Sequence, residues 1–269
     1  MSTNGDNKSN FCELTLLMVK SILAGVAISA GGLIFTTIKW AFDKIPKFKQ
    51  VGDVVGSVLF SGGLLVICSF KLNLYTGKVG LLYEQKITLM FVVQLVMMLI
   101  LNIAAAVCCG ALVHQLIKDN SFVSMIDNIS NSKIMNVHEL NDYVKTLIQG
   151  VFCGACVHSA VRTFNTLNVI VHKVLSLSFW IACFVYSSFQ HCIANAYYFG
   201  ASNGFNRSLF NNGLIIDLVF VIVGNSLGPY FVSLISRTYN VSNSSTSSST
   251  DDETTDESYV YGRNNLCYT

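Results

Sequence analysis

Phe189-Gln190-His191-Cys192-Ile193-Ala194-Asn195 interrupts an otherwise apolar run, residues 174–198, with two amides and an imidazole. A run of that length reads as a membrane span, because an α-helix needs about 20 mostly apolar residues to cross a bilayer. An ionisable side chain inside a span is costly, faces a bundle interior or a water-filled path, and marks function. Working outward from this run, five more apolar stretches occupy residues 15–38, 51–70, 87–112, 144–171 and 209–236. The fold expected is all-α and integral to the membrane, with six transmembrane helices.

Composition supports this. Of 269 residues, 52% are hydrophobic and only 12% charged, against roughly 25% charged in a typical soluble domain. The mean hydropathy is +0.53 even though residues 239–269 are mostly polar. A soluble enzyme of ordinary type is excluded, and a net charge of +2 is too small to imply a nucleic-acid partner. Most of the nine cysteines lie in apolar stretches, where thiols behave as small hydrophobes. Cys153-Gly-Ala-Cys156 has CxxC spacing, but no histidine or second pair completes a metal site, so no metal or cofactor is expected.

Three segments follow: a polar N-terminus (1–14), a channel domain (15–238) and a Ser/Asn-rich acidic tail (239–269) that composition predicts to be disordered. No signal peptide is read at the N-terminus. Residues 114–143 read as the longest loop, and lysine and arginine are divided too evenly among the loops to fix the orientation. An internal repeat is visible. Lys20-Ser-Ile-Leu-Ala-Gly25-Val opens the first span, Lys145-Thr-Leu-Ile-Gln-Gly150-Val the fourth, and Asn102 and Asn225 mark the third and sixth. Three spans per repeat place the halves in opposite orientations, an arrangement common in transporters with a site at mid-membrane.

The second span runs into Lys71-Leu-Asn-Leu-Tyr75-Thr76-Gly77-Lys78, where Gly77 permits a break and Thr76 offers a hydroxyl. Irregular backbone at membrane depth survives only when buried in protein or lining a cavity; the plainer reading is the end of a span. His191 is either a proton-exchanging group on a solute path or a neutral histidine bonding a neighbouring helix. Asn195, one turn on, shares its face and could satisfy a broken backbone.

Taken in order, these motifs resemble the formate/nitrite transporter family. Lys20-x4-Gly25 with Gly31-Gly32 resembles its first-helix signature, and Gly63-Leu-Leu-Val with Asn73-Leu-Tyr-Thr76-Gly77 its Glu-Leu-Phe-Thr-Gly-Asn loop. Gly150-Val-Phe-Cys-Gly resembles Gly-Ile-Leu-Cys-Asn, Phe189 to Asn195 resembles Phe-Glu-His-Ser-x-Ala-Asn, and Gly224-Asn225-x-x-Gly228 its last-helix motif. Together they extend from Lys20 to Phe231.

The resemblance implies two inverted three-helix repeats with broken second and fifth helices, an aquaporin-like arrangement. It also implies a homopentamer in the lipid bilayer with a pore through each protomer. Family members pass small monovalent weak-acid anions such as formate, nitrite, lactate or hydrosulfide, linked to protons. Carried over, the pore and substrate residues are Thr76 and His191, with Asn195 and Lys71 beside them. The apolar constrictions are Phe60, Leu64, Leu74, Tyr75, Val157 and Phe184. The chain departs from the family at Asn73, Lys78 and Gln190, and at Gly154, where a pore asparagine is expected. For the family's vestibule lysine, Asn136 or His138 falls nearest. Lys71, His158, Arg162 and Asp217 are extra charged or titratable groups, Arg162 being read as snorkelling to an interface.

The expected function is therefore a pentameric, proton-linked channel or transporter for such anions in the plasma membrane, with no covalent catalysis. The alternatives are a neutral-solute channel of aquaporin type, although paired Asn-Pro-Ala motifs are absent, and a transport-silent scaffold that kept the fold.

Overall fold

A computed structural model describes the backbone of residues 3–134, 139–202 and 212–247, and the side chains of 11–134, 139–202 and 214–237. One compact unit is Met1–Leu234; of the second, Ile235–Thr269, the described part is helical backbone as far as Ser247. Of the expected tail, residues 248–269 lie outside the described residues.

The described helices are α1 (Thr3–Asp43), α2 (Lys49–Ser69), α3 (Tyr75–Lys78), α4 (Leu89–Leu116), α5 (Asn120–Asn131), α6 (Leu140–Thr166), α7 (Ile170–Tyr186), α8 (Cys192–Ala201) and α9 (Asn212–Ser247). Among the described residues, five stretches are long and apolar enough to cross a membrane: Phe11–Asp43, Pro46–Ser69, Leu89–Leu116, Leu140–Thr166 and Leu214–Arg237. α7, the shorter apolar helix, is the first part of the expected fifth span, which breaks before α8. α1 packs on α2 and α4, α6 on α7, α2 on α7, and α4 on α8.

The segment read as the longest loop holds a helix. Asp119 caps α5 by accepting from the Ser121 and Phe122 amides at 2.9 and 3.0 Å, and Phe122, Ile126 and Ser130 are buried at four-residue spacing. The Asn and Ser content that suggested a loop covers the outer face of an amphipathic helix.

Small residues let the helices close. A methyl group at Gly25 would sit 2.5 Å from the Asn102 carbonyl oxygen, and one at Gly154 would sit 2.4 Å from that of Asn225. Position 154 therefore faces the α6–α9 contact. It is not a pore position that has lost its asparagine, because an asparagine there would collide with backbone.

The repeat is present in detail. α2 and α7 end alike, with a residue in the left-handed region, Lys71 (φ 50°) and Ser188 (φ 55°). The next amide bonds five residues back in each case, Leu72 to Ile67 at 2.9 Å and Phe189 to Phe184 at 3.0 Å. This is the Schellman closure, usually made with glycine. The chain then runs extended to the start of α3 or α8, four residues beyond the left-handed residue. The first break thus lies at Lys71; Gly77, the residue expected to permit it, sits inside α3 with an ordinary φ.

Each break is braced by one fully buried asparagine. Asn102 Oδ1 accepts from the Tyr75 amide at 2.8 Å, and its Nδ2 donates to the carbonyls of Ser21 and Asn73 at 2.7 and 3.0 Å. Asn225 Oδ1 accepts from the Cys192 amide at 3.0 Å, and its Nδ2 donates to Gly150 and Gln190 at 2.9 and 2.8 Å. Ser21 thus corresponds to Gly150 and Gly25 to Gly154. The sequence markers, which paired Gly25 with Gly150, are out of register by one helical turn.

Candidate pore site

The two braced breaks bring Thr76 and His191 together. Thr76, in the first turn of α3, and His191, the N-cap of α8, are both buried, and Thr76 Oγ1 lies 3.1 Å from His191 Nε2. His191 Nδ1 accepts from the Ala194 amide at 3.1 Å. That bond needs the Nδ1 lone pair, so the ring proton resides on Nε2. Nε2–H therefore donates to Thr76 Oγ1, and the threonine hydroxyl keeps its own hydrogen for another acceptor. An imidazolium would set an N–H against the Ala194 N–H, so this geometry holds His191 neutral.

Aromatic rings wall the pair. Phe184 stacks on His191, centroids 5.6 Å apart at 20°, and meets Phe60 edge-on at 5.9 Å. Leu64, Leu74, Tyr75 and Val157 are buried as well, so all six expected constriction residues lie in the core. Tyr75 is not a free donor, because its hydroxyl is bonded to Ser226 Oγ at 2.8 Å.

Asn195 has a different task from the one expected. Its Nδ2 donates to Gln190 Oε1 at 2.7 Å, fixing that side chain, while Asn225 satisfies the broken backbone. Lys71 does not join the site: it is exposed at the turn after α2.

A cavity of about 350 Å³ opens beside the pair, lined among others by Phe60, Phe184, His191, Asn195 and Lys133. Asn136 and His138 lie outside the described residues. The lysine that borders this cavity from within the protein is Lys133, in the linker after α5. It is 7% exposed, and its ammonium donates to the Ser188 and Phe189 carbonyls at 2.7 and 3.3 Å. Burial pushes its amine down to about 8. In sequence it is one lysine within a polar segment; only the fold of the 188–191 break, whose orphan carbonyls attract a cation, distinguishes it.

Away from the pair, Glu84 Oε1 lies 3.3 Å from both His158 Nε2 and Arg162 Nη1. His158, first, and Arg162 hold the Glu84 carboxyl below the usual carboxylate range against the opposing effect of burial. Arg162 thus ties α6 to the segment that follows α3.

A family model described as formate/nitrite transporter matches residues 1–239. The chain belongs to the formate/nitrite transporter family. It is an integral, multi-pass membrane protein of a family of channels and transporters. The transporter fold is also that of two solved structures. One, described as a pentameric formate channel with formate bound, is 20% identical, with a TM-score of 0.71, covering 84% of this chain and 96% of the other. The second, described as an FNT family ion channel, is 18% identical, with a TM-score of 0.71, covering 86% and 92%. No curated protein matches the chain in sequence.

Proposed function

We propose that the chain conducts small weak-acid anions of the formate, nitrite, lactate or hydrosulfide class together with a proton, as a homopentamer in the plasma membrane. The observation that supports this best is the Thr76–His191 pair, whose threonine hydroxyl is left free to donate. A bare anion in the apolar ring of Phe60, Leu64, Leu74 and Phe184 would lose its water at a cost of many kcal/mol. Two features lower that cost. Lys133 supplies positive charge at the vestibule, and the Thr76 hydroxyl, polarised by His191, supplies a donor where water is excluded. The solute takes its proton from vestibule water and crosses as the neutral acid. His191 stays neutral and contributes a hydrogen bond rather than the transferred proton.

The test is flux of radiolabelled formate and lactate into proteoliposomes across a series of external pH values. Uptake is expected to rise as the external pH falls; flux independent of pH, carried as current by the bare anion, refutes the proton linkage. Swelling in glycerol without anion flux would favour the neutral-solute reading, and no flux of either kind the scaffold reading. Native mass spectrometry in detergent checks the pentamer, and monomers or dimers alone refute it.

A further inference from the structure

Asp217, on α9, is the one fully buried acid among the described residues, and nothing in the transport path uses it. The Thr146 hydroxyl reaches its Oδ1 at a long 3.4 Å, and its Oδ2 has no hydrogen-bond partner. A buried carboxylate left in that state is expensive, and such groups are paired with an opposite charge or give up their own.

Thr146 also lines a second cavity of about 270 Å³, off the main vestibule, together with Lys133, Gln149 and Gln190. Lys133 borders both cavities. An ammonium has three N–H donors, and the carbonyls of Ser188 and Phe189 take two. A cation with a spare donor thus borders one small, polar space wide enough for water, and Thr146, which lines the same space, reaches back to a buried carboxylate with a spare oxygen. Each acts electrostatically on the other. Gln190, which lines the cavity from the break, is neutral and already committed to Asn195.

We propose that Asp217 is the counter-ion of Lys133, a positioning residue that acts across the side cavity to keep the vestibule lysine charged. The other charged or titratable groups around the lysine do not duplicate this role. Cys153 acts on it from α6 as a thiol, His191 is held neutral by its hydrogen bonds, and Lys145 on α6 carries the wrong sign. In the main vestibule Asp43 pairs with Lys49, and Lys39 with Asp53. Asp142, also on α6, borders the side cavity and is the control. The lysine's midpoint, lowered by burial to about 8, lies close enough above neutral pH for one neighbour to decide its charge.

The test does not depend on transport. The full chain in liposomes is trace-labelled with acetic anhydride from pH 6 to 10, and acetylation of Lys133 is measured by peptide mass spectrometry against exposed Lys47. Asp217→Asn is expected to lower the half-point of Lys133 by roughly one unit, the order expected for loss of one nearby opposite charge. Asp142→Asn is expected to leave it in place. An unchanged half-point in Asp217→Asn overturns the proposal. If that variant does not assemble, Asp217→Glu keeps the carboxylate and should retain the wild-type half-point; a fall like that from charge loss overturns it equally. A flux arm rests on the transport reading: the alkaline limb of formate uptake should move down in Asp217→Asn, and not when Lys133→Arg, permanently charged, is also present. A shifted half-point in a protein without anion flux would sink the transport reading and leave the counter-ion standing.

Discussion

Replacing His191 separates its two hydrogen bonds, because they use different nitrogens. Nδ1 caps α8 by accepting from Ala194, and Nε2 polarises Thr76. Asparagine is among the best N-caps, so His191→Asn keeps an acceptor for the Ala194 amide but is too short to hold Thr76 as well. Alanine loses both. A lost cap costs about 1 kcal/mol, so His191→Asn should melt close to wild type and His191→Ala measurably lower, with pentamers surviving in both. The flux effect comes from the other bond. Without His191 the Thr76 donor is no longer polarised or held toward a solute that is still partly charged as it leaves water, a loss of about 1.5–3 kcal/mol if that hydrogen bond goes, which is about tenfold to a hundredfold in rate. Both variants should therefore lose formate flux to a similar extent despite their different stabilities. Uptake into proteoliposomes, with thermal unfolding followed in parallel, makes the comparison. A His191→Asn protein with wild-type flux and wild-type pH profile would show that the imidazole only packs.

The braces should be equivalent: Asn102→Ala and Asn225→Ala each orphan two backbone groups at a break, the amide of Tyr75 or Cys192 and the carbonyl of Asn73 or Gln190, at about 1–3 kcal/mol apiece. Both are expected to abolish pentamers on native gels, and normal assembly by either would refute the brace. Ser188→Gly should raise the melting temperature, because the left-handed conformation costs a non-glycine residue about 1–2 kcal/mol and glycine returns only about 0.5–1 through unfolded-state entropy; a lower value contradicts this. Glu84 has a depressed pKa, so its contribution to stability is present above the ordinary carboxylate value of 4.5 and is lost as pH falls through the folded value. Glu84→Gln should accordingly destabilise at pH 7 and approach wild type at pH 3–4; an equal penalty at both would rule out the ion pair.

The spans and the meeting of Thr76 with His191 were legible because apolar run length, spaced motifs and an ionisable group inside a span are local signals. What escaped was decided between segments. Lys133 is recognisable only once the break at Ser188 presents its carbonyls, and α5 only once Phe122 and Ile126 have something to pack on. The one-turn error in the repeat has the same origin. Lys20-to-Gly25 and Lys145-to-Gly150 match as strings, but register is set by which glycine meets the bracing asparagine, a contact with a residue far along the chain. Arg162 looked like a snorkelling arginine because Glu84, its partner, is remote in sequence.

The matched breaks carry unmatched chemistry. Superimposing Tyr75 on Cys192, the two residues whose amides the asparagines hold, places Leu74 on His191 and Ile193 on Thr76. Leu74 and His191 have almost the same backbone, φ −89° and ψ 123° against φ −119° and ψ 116°. The scaffold is therefore a duplicated socket filled differently on its two sides, with the imidazole in one copy and the hydroxyl one step along the other. From either half the backbone is the same, but the imidazole belongs to one half and the hydroxyl to the other. The asymmetry of the site is written in two side-chain identities and not in the architecture.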